Sequence, residues 1–241
     1  MLIHGDCLVV MDELIEKGIK FDAIITDPPY GITNHPDDKV INFRKMWDRI
    51  EKLKKDDTTP VILFAAEPYS SNLIRSNQKQ HKYKKYWKKD RPSNFLNAKK
   101  QPLRDIEEIC VFYKKQCTYN PKMTEGKPCN GIGKQDGKMQ KKNRNYGNFK
   151  QVSREDSAKY PRQILSYNRP HPPEHRTEKP VPLMLDLIET YTNEGDLILD
   201  FTMGTGATGV ACKKLNRKFV GIEKVEKYFN KARQRIEEEC I

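Results

Sequence analysis

The sequence predicts an α/β protein built on a doubly wound, mostly parallel sheet, and three observations carry that expectation. β-rich runs alternate with stretches of helical apolar spacing in both the first and the last third of the chain. One run, residues 60–65 (PVILFA), is apolar without interruption, as a strand covered on both faces requires. Another, residues 196–201 (DLILDF), leads into a short glycine loop and then a helical pattern, the strand–loop–helix unit of such sheets.

In chain order, residues 9–17 have helical character and residues 21–26 (FDAIIT) form a short strand. After the strand at 60–65 comes a helix over 69–77, then a strand over 106–113 (IEEICVFY). From Lys114 to about Tyr160 the periodicity disappears. Pro121, Gly126, Pro128, Gly131, Gly133 and Gly137 fall among few aliphatic residues, which marks a loop-rich insert and not a second core. A proline-rich turn at 170–173 precedes Leu183, Met184, Leu187, Ile188 and Tyr191 at helical spacing. The strand 196–201, a helix near 208–215 and a strand at 218–222 (KFVGI) follow. Val225, Phe229, Ala232 and Ile236 then place one apolar stripe on a terminal helix. The expected organisation is one domain from residues 1–113 and 161–241, interrupted by an insert at 114–160.

Charge is distributed unevenly. The chain of 241 residues carries 45 Lys and Arg against 33 Asp and Glu, a net of +12. Residues 79–104 alone hold a net +9 and residues 114–159 a net +8, leaving the remainder at −5. An acidic body with a basic middle is the electrostatic footprint of a polyanion partner, because each cation that meets a phosphate releases a counterion. Tyr83, Tyr86, Trp87 and Phe95 lie among the first group of lysines, which suits phosphate contact and base stacking together. Trp87, beside a strand signal, is expected in the core.

Other classes are excluded. No apolar run approaches the ~18 residues of a membrane span, and the first residues lack the basic start of a signal peptide. Cys7, Cys110, Cys117, Cys129, Cys212 and Cys240 form no CxxC pair and no metal-ligand spacing, so they read as reduced thiols of an intracellular protein. His171 to His175 spells the HxxEH of a zinc protease, but Pro172 and Pro173 between the histidines deny the helix that chemistry needs. No metal site is expected.

Two motifs carry chemistry. Asp200-Phe201-Thr202-Met203-Gly204-Thr205-Gly206 ends a strand and opens a helix, and its glycines allow a tight turn and close approach to a ligand. Glu223 ends the next strand, where an acid accepts hydrogen bonds from ribose hydroxyls. Together they predict a nucleoside-bearing cofactor. The chain has no third glycine at dinucleotide spacing and no GKS or GKT, which disfavours NAD and P-loop chemistry. Asp27-Pro28-Pro29-Tyr30 follows the strand 21–26 at its carboxyl end. Two prolines fix two φ angles and supply no N–H, so carbonyls stand as acceptors beside the Asp27 carboxylate and the flat face of Tyr30. An acceptor pair beside an aromatic face suits the exocyclic amine of a planar base.

These motifs resemble those of the S-adenosylmethionine-dependent DNA amino-methyltransferases that modify adenine N6 or cytosine N4. DPPY is similar to their catalytic motif, DFTMGTG to their cofactor loop and VGIE to their ribose-binding strand end. His175-Arg176-Thr177-Glu178-Lys179-Pro180 resembles their HxTEKP segment, and Gly5-Asp6-Cys7 their N-terminal cofactor element. Phe201 and Thr202 depart from the usual DPFxGSG, while the glycines are intact. The motif order is that of the circularly permuted beta class.

The resemblance implies a Rossmann-like methyltransferase sheet of about seven strands and S-adenosylmethionine as cofactor. It implies a catalytic set of Asp27, Pro28, Pro29 and Tyr30. Asp6 and Cys7 would meet the cofactor adenine, Glu223 the ribose, and Thr177, Lys179 and the loop of Gly204, Thr205 and Gly206 the methionine end, with Asp27 and Asp200 completing the cofactor site. It further implies double-stranded DNA as substrate, a base flipped out of the duplex, adenine N6 as the acceptor and residues 114–160 as the target-recognition insert. A restriction endonuclease partner, a monomer or homodimer, and a bacterial or phage origin in the cytoplasm accompany that reading. The alternatives are a cytosine N4 enzyme, an RNA adenine methyltransferase and a non-catalytic DNA-binding protein.

Overall fold

A computed structural model describes residues 1–126, 157–171 and 178–238. The chain divides into two compact units, Met1–Asn120 with Gln163–Ile241, and Pro121–Arg162. In chain order the elements are β1 (Leu2–His4), α1 (Cys7–Glu16), β2 (Ala23–Thr26), α2 (Phe43–Leu53), β3 (Val61–Ala65), α3 (Tyr69–Ser76), β4 (His81–Ser93) and β5 (Arg104–Phe112). They continue as β6 (Thr124–Glu125), β7 (Ala158–Lys159), β8 (Ile164–Ser166), α4 (Val181–Tyr191), β9 (Leu197–Asp200), α5 (Ala207–Lys214), β10 (Lys218–Glu223) and α6 (Glu226–Glu238). In the smaller unit β6 and β7 pair antiparallel.

The larger unit is built on an eight-stranded sheet in the order β1-β10-β9-β2-β3-β5-β4-β8. Only β5 runs against the others, pairing antiparallel with β3 and β4. Every other pairing in that sheet is parallel. Among the described residues this is the mostly parallel sheet expected, with eight strands where about seven are implied. β1 and β8 have three residues each, too short to give a periodic signal. β4 escapes a sequence reading because its inward positions include a lysine: Lys85 and Trp87 are both buried. α2 is a further element absent from the sequence-based expectation; its buried Met46, Trp47, Ile50 and Leu53 recur at helical spacing among six charged residues. Asn42 caps it by accepting from the Lys45 amide.

Alternation along each strand splits the core in two. Ile24, Val61, Leu63 and Leu199 face one way and meet α1, α2 and α3 through Met11, Leu14, Ile50 and Leu73. Ile25, Ile62, Phe64 and Ile198 face the other way and meet α4 and α5 through Leu183, Leu187, Ile188 and Ala211. β2 and β3 are buried at every position, which is why their sequences are continuous apolar runs.

This topology fixes where a ligand can enter. β2 leads away through α2 to β3 on one side, and β9 leads through α5 to β10 on the other. The winding reverses between two adjacent strands, so a crevice opens outside their carboxyl ends. Asp27 follows β2 and Asp200 ends β9, which brings both motifs to that crevice.

Trp87 is 2% exposed and its indole N–H donates to the Tyr167 carbonyl at 2.8 Å. Trp87→Ala is expected to cost about 3–5 kcal/mol of stability, read as a lowered urea midpoint. An unchanged midpoint would place this indole outside the core.

Candidate active site

The two motif loops are tied together beneath the crevice by a buried carboxylate. The Thr26 hydroxyl donates to Asp200 Oδ1 at 2.7 Å, the Thr202 amide to the same oxygen at 3.1 Å, and the Thr208 hydroxyl to Oδ2 at 2.5 Å. The Thr202 hydroxyl lies 2.6 Å from Thr26 Oγ1 and 3.1 Å from the Asp27 carbonyl oxygen. Thr202, at a departure from the usual cofactor-loop spelling, therefore holds the backbone of the first motif. Phe201, at the other departure, is fully buried in the core. Burial pushes the Asp200 carboxyl up to about 6, against the bonds from Thr208, Thr26 and the Thr202 amide.

Above this lock is a chain of charged groups. The Asp27 side chain is 24% exposed. Tyr30 Oη donates to Asp27 Oδ1 at 2.5 Å and lies 3.0 Å from Glu107 Oε1. Lys179 Nζ bonds Asp27 Oδ2 and reaches Glu107 Oε1 at 2.8 Å. Lys89 Nζ meets Glu107 Oε2 at 2.7 Å. Burial raises the Asp27 carboxyl and the Glu107 charge adds to this, while Lys179 opposes it; the net shift is upward. Burial also raises Glu107, but Lys179 and then Lys89 outweigh it and hold that carboxyl down to about 2. Burial lowers Lys179, yet Asp27 and Glu107 outweigh it, so the ammonium stays protonated well above its usual range. Its Nζ also stands 5.0 Å from the centre of the Phe64 ring. The Tyr30 ring lies 5.2 Å from that of Tyr69.

The segment after Tyr30 turns around Asp38. Its carboxylate accepts from the amides of Gly31, Ile32 and Thr33 at 2.7, 3.0 and 2.8 Å, and from the Thr33 hydroxyl at 2.7 Å. Gly31 has φ +68°, and an added Cβ would meet Val40 Cγ2 at 2.7 Å, so this turn needs glycine.

On the other side of β9, the cofactor-loop glycines take the left-handed conformation, Gly204 at φ +54° and Gly206 at φ +82°. A Cβ on Gly206 would meet Ala232 at 2.9 Å, so that glycine lets α6 pack against the loop. A Cβ on Gly204 would meet nothing within 4 Å, so its outer side is open. Glu223 Oε2 accepts from the Gly204 amide at 3.0 Å and Oε1 from the Val225 amide at 2.7 Å. Burial raises its carboxyl against those bonds. Thr205 is buried, and Arg235 Nη1 reaches both its hydroxyl, at 2.9 Å, and its carbonyl, at 3.0 Å. The same Arg235 atom pairs with Glu178 at 2.6 Å. β1 lies beside β10, with His4 opposite Glu223, so Asp6 and Cys7 follow at the same edge. Asp6 caps α1 by accepting from the Leu8 amide at 3.0 Å. Burial and the Asp6 charge push the half-buried Cys7 thiol up to about 11, so it is neutral.

Asp27, Tyr30, Lys179 and Asp200 thus converge at the crevice, with Gly204, Gly206 and Glu223 on its β10 side. Thr177 and the histidine decoy beyond His171 lie outside the described residues. Among the described residues no group of three His, Cys, Asp or Glu could hold a metal ion, and no helix is long and apolar enough to cross a membrane. Sequence reasoning missed Glu107, Lys89 and Asp38. The only signal for Glu107 is an acid inside an otherwise apolar strand pattern.

The sequence profile of the DNA methylase family, N6/N4 type, matches residues 21–234. YubD of Escherichia coli (strain K12), provisionally named a methylase, is 30% identical over 234 residues, covering 97% of this chain and 88% of that protein. The type II methyltransferase M2.DpnII of Streptococcus pneumoniae is 46% identical over 65 residues, covering 27% of this chain and 24% of that one. Among solved structures, the M1.HpyAVI–SAM complex superposes with a TM-score of 0.67 at 26% identity, covering 98% of each chain. The cytosine-N4-specific PvuII DNA methyltransferase shares the fold, with a TM-score of 0.62 at 15% identity over 97% of this chain and 85% of that one.

The folded Asp200 carboxyl, at about 6 against an ordinary 3.8, binds its proton more tightly than in the unfolded chain. Its contribution to stability is full below about pH 4 and is lost as pH rises through 6. Asp200→Asn is expected to remove that slope. Its stability relative to the native protein should rise by about 1–3 kcal/mol between pH 4 and 7, read from urea unfolding at each pH. A difference that stays flat with pH would contradict the assignment.

Proposed function

The chain belongs to the DNA methylase family of the N6/N4 type, and from that premise we propose that it transfers the methyl group of S-adenosylmethionine to adenine N6 of a base flipped out of double-stranded DNA. The observation that carries the reading is the Asp27 carboxylate, held by Tyr30 and Lys179 beside the Pro28 carbonyl at the switch point of the sheet. The family's cofactor supplies a methyl group on a positively charged sulfur, an excellent leaving group, so the protein has to position more than to activate.

The residues present fit that cofactor. Each Glu223 oxygen accepts one backbone N–H and has capacity for a ribose hydroxyl. The open side of Gly204 lets a ligand reach the backbone. We assign Asp6 and Cys7 to the adenine of the cofactor, and Gly204, Thr205, Gly206, Thr177 and Lys179 to its methionine end. Asp200 acts from below, fixing the loop through Thr202 and Thr208.

At the acceptor base, one N–H of the amine bonds the Asp27 carboxylate and the other the Pro28 carbonyl. Both bonds favour a pyramidal nitrogen whose lone pair points away from the ring. Pro28 and Pro29 keep that carbonyl in place through their fixed φ angles. Tyr30 stacks on the base, its ring held by bonds to Asp27 and Glu107. The proton that the nitrogen sheds passes to Asp27, whose burial raises its proton affinity. Glu107 touches neither base nor cofactor. It is a positioning residue that acts through Lys179 and Tyr30.

Adenine is preferred over cytosine because aspartate before PPY accompanies adenine in the resemblance. The catalytic domain then comprises residues 1–113 and 161–241, and the basic residues 114–160 form the target-recognition insert. A restriction endonuclease partner, a bacterial or phage origin and a monomeric or dimeric state complete the reading.

Mass spectrometry of nucleosides from plasmid DNA treated with protein and cofactor is expected to reveal N6-methyladenine. Asp27→Ala should abolish it, by at least about a hundredfold, with an unchanged circular dichroism spectrum. N4-methylcytosine alone would overturn the choice of base. Near-native transfer by the Asp27 variant would overturn the role of Asp27.

A further inference from the structure

The most exposed large apolar side chains in the described structure are Phe95 and Leu96, at 76% and 83% exposure. They form one 3-10 turn, Phe95–Asn97, at the tip of the hairpin between β4 and β5. The tip is built and held. Asn94 takes the left-handed conformation at φ +70°, and Asn97 Nδ2 donates to Asn94 Oδ1 at 2.7 Å. Its two apolar side chains are therefore presented outward by a defined turn. Leu103 and Ile106, also exposed, extend the apolar surface down β5.

The hairpin rises from the site itself. β3 ends where Ala65 pairs with Glu108. β4 and β5 stay paired beyond that level, through Trp87–Glu107 and Lys88–Ile106, and again at Ser93–Arg104. β4 is parallel to β2 and β3, so this overhang stands at the carboxyl edge of the sheet, where Asp27 lies. Its base carries Lys89 and Glu107, which pair with each other, and Glu107 in turn reaches Lys179 and Tyr30. Phe95 lies six positions beyond Lys89, a reach of up to about 20 Å at strand rise. Lys88, Arg91, Lys99, Lys100 and Arg104 are exposed along it; of its two acids above Glu107, Asp90 is engaged by Arg91 and the Arg169 amide, and Asp105 is half-buried.

We propose that this hairpin is a DNA-engaging arm and that Phe95 and Leu96 wedge into the base stack beside the flipped-out target. The charge pattern selects the occupant. A duplex has an apolar stack bordered on both sides by phosphates, and the arm has an apolar tip bordered by cations. Apolar side chains inserted between base steps unstack them, which lowers the cost of extruding a neighbouring base. The inference rests on the reading of the chain as an enzyme that acts on duplex DNA.

The test compares the native protein with Phe95→Ala/Leu96→Ala and with Lys99→Gln/Lys100→Gln, using closed circular plasmid and radiolabelled S-adenosylmethionine. The apolar double variant should lose at least about tenfold in methyl transfer and in plasmid affinity. Its S-adenosylmethionine affinity, thermal midpoint and salt dependence of DNA binding should stay unchanged. The lysine variant should flatten the salt dependence by about 0.9 log units for each phosphate it no longer neutralises. Transfer and affinity within twofold of native in the apolar variant would overturn the proposal. Conversion of an oligomer to a monomer in step with the loss would overturn it too, marking the tip as an interface between copies of the chain. The radiolabel counts a methyl group on either base, so the outcome is independent of the adenine assignment. If the native protein bound plasmid and cofactor without transfer, the enzymatic reading would fall, and the affinity of the apolar variant would still decide the arm.

Discussion

The buried ammonium of Lys179, held between the carboxylates of Asp27 and Glu107, is the contact on which the arrangement of the site depends. It joins three parts of the chain that are far apart in sequence: the end of β2, the middle of β5 and the segment entering α4. Removing a charge from such a cluster leaves its partner desolvated and uncompensated, which is far more costly than losing a surface pair. The cluster also explains how two acids coexist beside the crevice. Glu107 has two lysines and stays ionised, whereas Asp27 shares one lysine and is pushed upward. The acid with the greater proton affinity is the one that follows β2 at the crevice.

A second lock, built on one carboxyl and its hydrogen-bond donors, lies under the first. Asp200 gathers Thr26, Thr202 and Thr208, so the ends of β2 and β9 and the start of α5 are tied to one carboxyl. Thr202 extends the lock to the Asp27 carbonyl. The unusual loop spelling in this chain therefore has a structural consequence: a hydroxyl stands where the resemblance has phenylalanine, and it bonds the Asp27 carbonyl. The Asp27 loop is thus held from beneath by this lock and from the side by Lys179.

What was legible in the sequence was local. DPPY, the glycine loop, Glu223 and Asp6 each sit at the end of a strand, where an open parallel sheet must place its ligands, and each declares itself within a few residues. β2, β3, α4 and β9 were legible because burial on both faces or helical spacing is written into consecutive residues. Glu107 and Lys89 were not. Glu107 sits opposite Trp87 through the register of an antiparallel pair that no local pattern encodes. The strand carrying Lys89 reads as a basic surface because its lysines occupy both exposed and buried positions. Asp38 was hidden in the same way, since its role is to gather backbone amides five to seven residues earlier.

Glu107 reaches Asp27 only through Lys179 and Tyr30, so its proposed role is to align that carboxylate. Single-turnover methyl transfer by Glu107→Gln, followed across pH beside the binding of cofactor and DNA, tests it most directly. The expected result is a transfer rate lowered by about 10- to 100-fold and a displaced pH profile, with both affinities retained. A native rate and profile in the folded variant would contradict it.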